Sequence, residues 1–146
     1  MGGLLGSPVF WTRFLHLIAA IWLTVGVFGS AVVLAMYKRA SDPTGRAFGA
    51  RTAWRLMAVY TLPGVLAAGL LGIYQAMVAF NFRPGWVHAS VTLWLIQLAI
   101  ILFVQMPRLK AAAQRGTDIP PVVIVLTHVS ALLILVMAFL MSFKPF

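Results

Sequence analysis

Four apolar segments, each long enough to cross a lipid bilayer, constrain the fold of this chain more than any other feature of its sequence. Roughly 20 apolar residues in helical conformation span a hydrocarbon core of about 30 Å. Backbone N–H and C=O groups find no water in that core, so each segment must pair them internally, as a helix does. The sequence therefore predicts an all-α fold, a four-helix transmembrane bundle that forms a single domain over residues 1–146. The predicted spans are residues 14–37, 57–80, 86–106 and 121–143.

The composition excludes several classes of function. Hydrophobic residues make up 62% of the chain and charged residues only 9%, against about 25% charged in an average soluble domain. No cysteine is present, which excludes disulfides, iron–sulfur clusters and thiolate metal ligands. The two acidic residues, Asp42 and Asp118, lie between the apolar segments, so the spans offer no carboxylate for proton-coupled transport. The sequence also lacks a phosphate-binding loop and a catalytic triad, which argues against hydrolytic enzymes.

Basic residues predict the orientation of the bundle. The chain carries 11 Lys and Arg residues against 2 acidic residues. Most of them lie between apolar segments, in loops 38–55 and 108–119, which the positive-inside rule places in the cytoplasm. The helices then alternate up, down, up and down, with both termini on the outer side. In this setting the excess positive charge indicates contact with lipid headgroups, and no nucleic-acid partner is expected.

Small residues recur at intervals of four, a spacing that places them on one face of a helix. Gly64, Ala68 and Gly72 do so in the second segment, and Gly26 and Ser30 in the first. Such faces commonly allow membrane helices to approach closely. The less common alternative is that they provide room for a flat ligand, and the sequence leaves both interpretations open.

Three histidines, His16, His88 and His128, are the only side chains suited to transition-metal or redox chemistry. Ionisable residues within membrane spans commonly mark functional sites. His16 and His88 each lie about one turn into segments that run in the same direction, so they are expected to share a depth near the outer side. His128 lies about 10 Å from the cytoplasmic end of the last segment, at 1.5 Å per residue.

The matched depth of His16 and His88 predicts that these two imidazoles ligate the iron of a haem. A tryptophan follows each of them after six residues, at Trp22 and Trp94. The alternative is that the histidines anchor the helices at the membrane interface or hydrogen-bond a neighbouring helix. Zinc is less favoured, because no carboxylate or thiolate lies within the spans to complete a site.

Several short motifs resemble those of the bacterial four-helix membrane protoporphyrinogen IX oxidases, in order and spacing, over nearly the whole chain. In chain order they are Leu15-His16-Leu17-Ile18-Ala19 with Trp22 and Gly26, Arg55-Leu56 with Thr61-Leu62-Pro63, Gly85-Trp86-Val87-His88-Ala89, and Lys144-Pro145-Phe146. The chain is also similar to uncharacterised four-helix membrane proteins of the copper-resistance D superfamily.

The resemblance to the oxidases implies haem b within the bundle, oxidation of protoporphyrinogen IX, and transfer of electrons to the respiratory chain of a bacterial inner membrane. By position it implies that His16 is a haem ligand and His88 the functional histidine of the third helix. This sequence has Ser90 where the family usually has lysine, which removes a cation suited to a tetrapyrrole carboxylate. The residues expected to support the site from a second layer are Trp22, Ser90, Thr92, Trp94 and His128.

The departure at Ser90 and the short exposed segments favour a second hypothesis. In it the chain is a non-enzymatic transmembrane subunit, for electron transfer or for structure, of a larger respiratory or photosynthetic complex. A haem-free scaffold is the third hypothesis, and a homo-oligomer is compatible with each of them. The sequence therefore leaves open whether the chain is an enzyme.

Overall fold

The computed structural model describes residues 7–145, and within that range helices joined by short connections form the fold, with no strand. Four helices are long and apolar enough to cross a membrane: Pro8–Arg39, Pro43–Phe80, Gly85–Arg115 and Pro121–Phe143. The predicted all-α fold with four candidate spans is thus confirmed. Residues 1–6 and 146 lie outside the described range, and with them Phe146 of the terminal motif and both ends of the predicted domain.

Two of the long helices contain a short π-helical segment that divides them. The α-helices are α1 (Pro8–Arg39), α2 (Pro43–Leu56), α3 (Leu62–Phe80), α4 (Gly85–Ala99), α5 (Met106–Arg115) and α6 (Pro121–Phe143). The first π-helical segment, Met57–Thr61, joins α2 to α3, and the second, Ile100–Gln105, joins α4 to α5. We call the continuous helix Pro43–Phe80 the second long helix and Gly85–Arg115 the third.

The prediction of a loop over residues 38–55 is wrong, because α2 occupies most of this range. Asp42 caps this helix by accepting a hydrogen bond from the backbone N–H of Gly45 at 2.6 Å, and Pro43 provides a first helical residue that needs no N–H partner. Ala50 and Ala53 are buried on the face that α2 turns toward α1 and α5. The basic residues of this stretch therefore extend from a helix rather than from an irregular loop.

Both π-helical segments precede a proline by two residues, Pro63 and Pro107. A proline ring inside an α-helix crowds the carbonyl four residues earlier and cannot donate to it. The wider i→i+5 turn relieves this crowding: the N–H of Leu62 bonds to the carbonyl of Met57. The third long helix passes through Pro107 and continues to Arg115.

Helix α1 and the second long helix approach each other at glycines. A Cβ atom placed on Gly64 would lie 2.6 Å from the backbone nitrogen of Leu23, and one on Gly26 would lie 2.6 Å from the nitrogen of Thr61. Both distances are shorter than van der Waals contact, so only glycine permits this packing. The small-residue pattern of the sequence is confirmed here as a helix contact.

Near the C-terminal end of α1, Tyr37 links this helix to the segment that precedes α6. Its hydroxyl donates to Asp118 at 3.2 Å and accepts from the backbone N–H of Ile119 at 3.1 Å. Arg46 of α2 lies 3.0 Å from the same carboxylate. Because the side chains of Arg46 and Asp118 are largely exposed, the ion pair itself contributes little, and the buried Tyr37 is the main connection.

We expect Gly26→Ala to destabilise the protein by about 1–3 kcal/mol, since the added methyl group must displace the backbone at Thr61. Gly29→Ala is the matched control on the same helix. Its Cβ would meet only a side-chain methyl of Leu56 at 3.4 Å, and alanine favours helix, so its stability should stay within about 0.5 kcal/mol of the wild type or rise. Unfolding in detergent measures both variants, and equal losses in the two would contradict the close contact.

Candidate functional site

A cavity of about 530 Å³ opens between α1, α3, α4 and α6. Its volume lies within the range of about 300–1,000 Å³ that is usual for small-molecule and cofactor sites. We call it the His16 cavity. Its wall is mostly apolar and includes His16, Gly72, Trp86, Ser90, Trp94 and Lys144.

His16 is held in a defined orientation on this wall. Its Nδ1 lies 2.8 Å from the backbone carbonyl oxygen of Ala68 in α3. A carbonyl oxygen can only accept, so Nδ1 carries a proton, and in the neutral imidazole Nε2 then keeps its lone pair. The absence of a side chain on Gly72 makes room for the ring, because a Cβ there would lie 3.1 Å from Cε1 of His16. The half-buried imidazole therefore presents a neutral nitrogen with a free lone pair.

Trp94 is fixed against α3 in a similar way. Its indole Nε1–H donates to the carbonyl oxygen of Val65 at 2.8 Å. Gly69 permits this approach, since a Cβ at that position would collide with the indole ring. The sequence predicted Trp94 as a supporting residue, and the structure places it on the wall of the His16 cavity.

Two cationic side chains, Arg13 and Lys144, also line the cavity. The ammonium of Lys144 lies 5.4 Å from the ring centroid of Phe80 and 5.8 Å from that of Trp86, which positions it by cation–π attraction. The two rings pack edge to face, with centroids 5.0 Å apart. The sequence alone did not identify Arg13 and Lys144 as site residues. The available signal was that the positive-inside rule places Arg13 and Lys144 at the same side of the membrane.

Ser90 is buried in the same wall, and its hydroxyl has no hydrogen-bond partner among the residues that the structure describes. The position where the oxidases usually carry lysine thus faces the cavity in this chain. Gln75 lies nearby and donates from Nε2 to the carbonyl of Thr12 at 3.2 Å, which joins α3 to the start of α1.

The structure does not bring the three histidines together. His88 is exposed and does not line the His16 cavity; its ring lies 6.1 Å from that of Phe82. Thr92, one turn further along, is exposed as well, and its hydroxyl donates to the carbonyl of His88 at 2.9 Å. His128 is exposed on α6, where its Nδ1 bonds to the carbonyl of Ile124 at 2.8 Å.

Trp22 serves the packing of the first two long helices rather than the cavity wall. Its Nε1–H donates to the carbonyl oxygen of Val59 at 2.9 Å, and its indole stacks on Tyr60 with centroids 4.9 Å apart. Pro63 cannot donate to this same carbonyl, so the indole supplies the missing partner. Sequence spacing alone could not distinguish this role from a place beside a cofactor.

Within residues 7–145, no group of three His, Cys, Asp or Glu side chains is arranged to hold a metal ion. A single imidazole that ligates the iron of an organic cofactor does not require such a group.

The chain belongs to the family described as predicted integral membrane protein (DUF2269), whose model matches residues 10–145. No curated protein and no solved structure matches it. The family match and the four long helices agree that the chain is a multi-pass integral membrane protein in contact with the lipid bilayer. The match names neither the protoporphyrinogen oxidases nor the copper-resistance proteins, so these resemblances stay predictions.

Proposed function

We propose that the chain is a membrane protein that binds haem b in the His16 cavity, where His16 would hold the haem iron. We further propose that it works by electron transfer in the manner of the oxidases it resembles. The observation that carries the proposal is the free Nε2 lone pair of His16 on the wall of a largely apolar cavity.

The hydrogen bond to Ala68 prepares His16 for this role. Metal-ligating histidines typically donate their second ring N–H to a carbonyl or carboxylate, which fixes the tautomer and the ring orientation. His16 already does so through Nδ1. The iron would therefore meet an imidazole that needs neither deprotonation nor reorientation.

The cations of the cavity suit the two carboxylates that haem carries. The cavity wall includes Arg13 and Lys144, and ion pairs with carboxylates are strong where water is scarce. Lys144 also bears on the departure at Ser90, because it brings an ammonium group to the same cavity from the end of α6. The charge that serine lacks is thus supplied from another element.

The proposal assigns the iron to His16 alone. His88 does not line the cavity, so we do not propose it as a second ligand of the iron. A haem bound in this way would supply one-electron redox chemistry. The protein's own contribution would be to orient the His16 imidazole and to bring the cations of Arg13 and Lys144 to the cavity. We place this activity in a bacterial inner membrane with both termini outside.

We expect His16→Ala to abolish the haem spectrum, since it removes the ligand while leaving the helices intact. His88→Ala and His128→Ala are matched controls, because both remove an exposed imidazole away from the cavity. Absorption spectra of the purified proteins, as isolated and after dithionite reduction, measure the Soret band and the reduced α-band. Loss of haem in His88→Ala, or no haem binding by well-folded wild-type protein, contradicts the assignment.

Lys144→Gln should weaken haem binding roughly tenfold, because one charge-assisted bond to a carboxylate is lost. Lys144→Arg retains the cation and should bind nearly as well as the wild type. Lys110→Gln is the control for net charge, since this residue lies on α5 and does not line the cavity. Titration with haem, followed by the Soret band, gives the three affinities. Equal weakening by Lys110→Gln would show that the effect is one of overall charge.

Complementation separates the enzyme from the alternative of a non-enzymatic transmembrane subunit. Ser90, uncharged on the cavity wall, is the observation that favours the subunit. The wild-type chain is expected to restore growth to a bacterial strain lacking protoporphyrinogen oxidase, and His16→Ala is not. Absence of rescue by wild-type protein that is expressed and loaded with haem would favour the subunit.

A further inference from the structure

Gln97 is completely buried in the third long helix, and neither its Nε2 nor its Oε1 has a hydrogen-bond partner within residues 7–145. An unpaired primary amide is costly in an apolar interior. Three hydroxyls share this condition among the described residues: those of Ser30, Ser90 and Ser130, which are 1%, 5% and 1% exposed. They come from α1, α4 and α6, so each of these helices brings an unpaired polar group to the bundle interior.

Gln97 and Ser130 come just beyond the inner end of the His16 cavity, each on its own helix. Gln97 follows the cavity residue Trp94 by three positions, and Ser130 precedes the cavity residue Ile134 by four. At 1.5 Å per residue, these offsets are about 4.5 Å and 6 Å along the two helices. Since α4 packs against α6 and both side chains are buried, the two polar groups face the same interior.

Ser30 is the deepest of these groups. It follows the cavity residue Thr24 by six positions on α1, which is about 9 Å along the helix axis, and α1 also packs against α6. Ser90, the fourth unpaired group, lines the cavity itself and is the shallowest of this series of polar groups. Unpaired polar groups thus continue from the cavity wall toward the middle of the bundle.

The series ends at an apolar layer. Leu34, Ile101 and Val123 are each 0% exposed, and each lies one or two turns beyond Ser30, Gln97 or Ser130 on its own helix. The next buried polar residues after Gln97 on the third long helix and after Ser130 on α6 already satisfy each other, because Gln105 donates from Nε2 to the hydroxyl of Thr127 at 3.2 Å. No similar series leads on to the buried Tyr37 at the far end of the described bundle.

We propose that Ser30, Gln97 and Ser130 form a water-binding pocket, the Gln97 pocket, which continues the His16 cavity past Ser90 to the middle of the membrane and ends at the apolar layer. Water is the ligand whose chemistry fits, since an internal water makes two to four hydrogen bonds with otherwise unpaired donors and acceptors. Buried polar groups in membrane bundles characteristically face such water-filled spaces. The cavity therefore exchanges water and protons with one side of the membrane only. This inference does not depend on haem.

Single-cysteine variants test the proposal without background, because the chain has no cysteine of its own. Gln97→Cys and Ser130→Cys should react with silver ions, which are small enough to follow water. Ile101→Cys should react at least about tenfold more slowly, since the attacking thiolate is disfavoured in apolar surroundings. The full chain is treated in membrane vesicles without added haem, unfolded in detergent, and labelled with a maleimide to count the remaining free thiols.

The controls decide between the outcomes. Ser130→Cys exchanges only an oxygen for a sulfur and should fold as the wild type does, so it keeps the test valid if Gln97→Cys misfolds. Ile96→Cys places a thiol on the lipid-facing side of the helix that carries Gln97, and it reports any reaction through the lipid. Fast reaction at both pocket positions, with slow reaction at positions 96 and 101, supports the pocket. Slow reaction at both pocket positions overturns it. Fast reaction at position 101 overturns the closed end and indicates a path through the whole bundle.

Discussion

Three ring N–H groups donate to backbone carbonyls of the second long helix, and the packing around the cavity depends on them. His16 bonds to Ala68, Trp22 to Val59 and Trp94 to Val65, at 2.8–2.9 Å. Interhelical bonds of this kind contribute on the order of 1 kcal/mol each in membranes, so their main effect is on geometry. They fix how far α1 and α4 are rotated about their axes relative to α3.

These bonds require that α3 expose its backbone, which explains the glycines on its surface. Gly64 admits the backbone of α1, Gly69 admits the indole of Trp94, and Gly72 admits the imidazole of His16. The small residues of α3 therefore have two structural roles. The first part of this small-residue face is a helix contact, and its last part forms a wall of the cavity.

The π-helical segments before Pro63 and Pro107 keep the buried residues of the second and third long helices on one side of each helix. Met57, Thr61 and Val65 are all buried at intervals of four, as are Gln97, Ile101 and Gln105. A spacing of four drifts around a helix with 3.6 residues per turn, and a wider π turn reverses the drift. Irregular backbone near Pro63 and Pro107 thus keeps one side of each helix toward the interior, including the amide of Gln97.

The sequence by itself determined the number of membrane helices, the absence of strands, the small-residue contacts and the candidate histidines. These follow from local composition, because the cost of placing a segment in lipid depends on its own residues. It did not determine that α2 extends the second helix, since capping by Asp42 and the π turn before Pro63 act through backbone geometry.

Only the tertiary structure decided that His16 lines the cavity while His88 is exposed, and that Arg13 and Lys144 share one cavity. The reason is that lipid is as apolar as the bundle interior, so hydrophobic periodicity does not encode which face of a helix turns inward. That choice is made by close packing at glycines and by hydrogen bonds between helices, which join residues far apart in the chain.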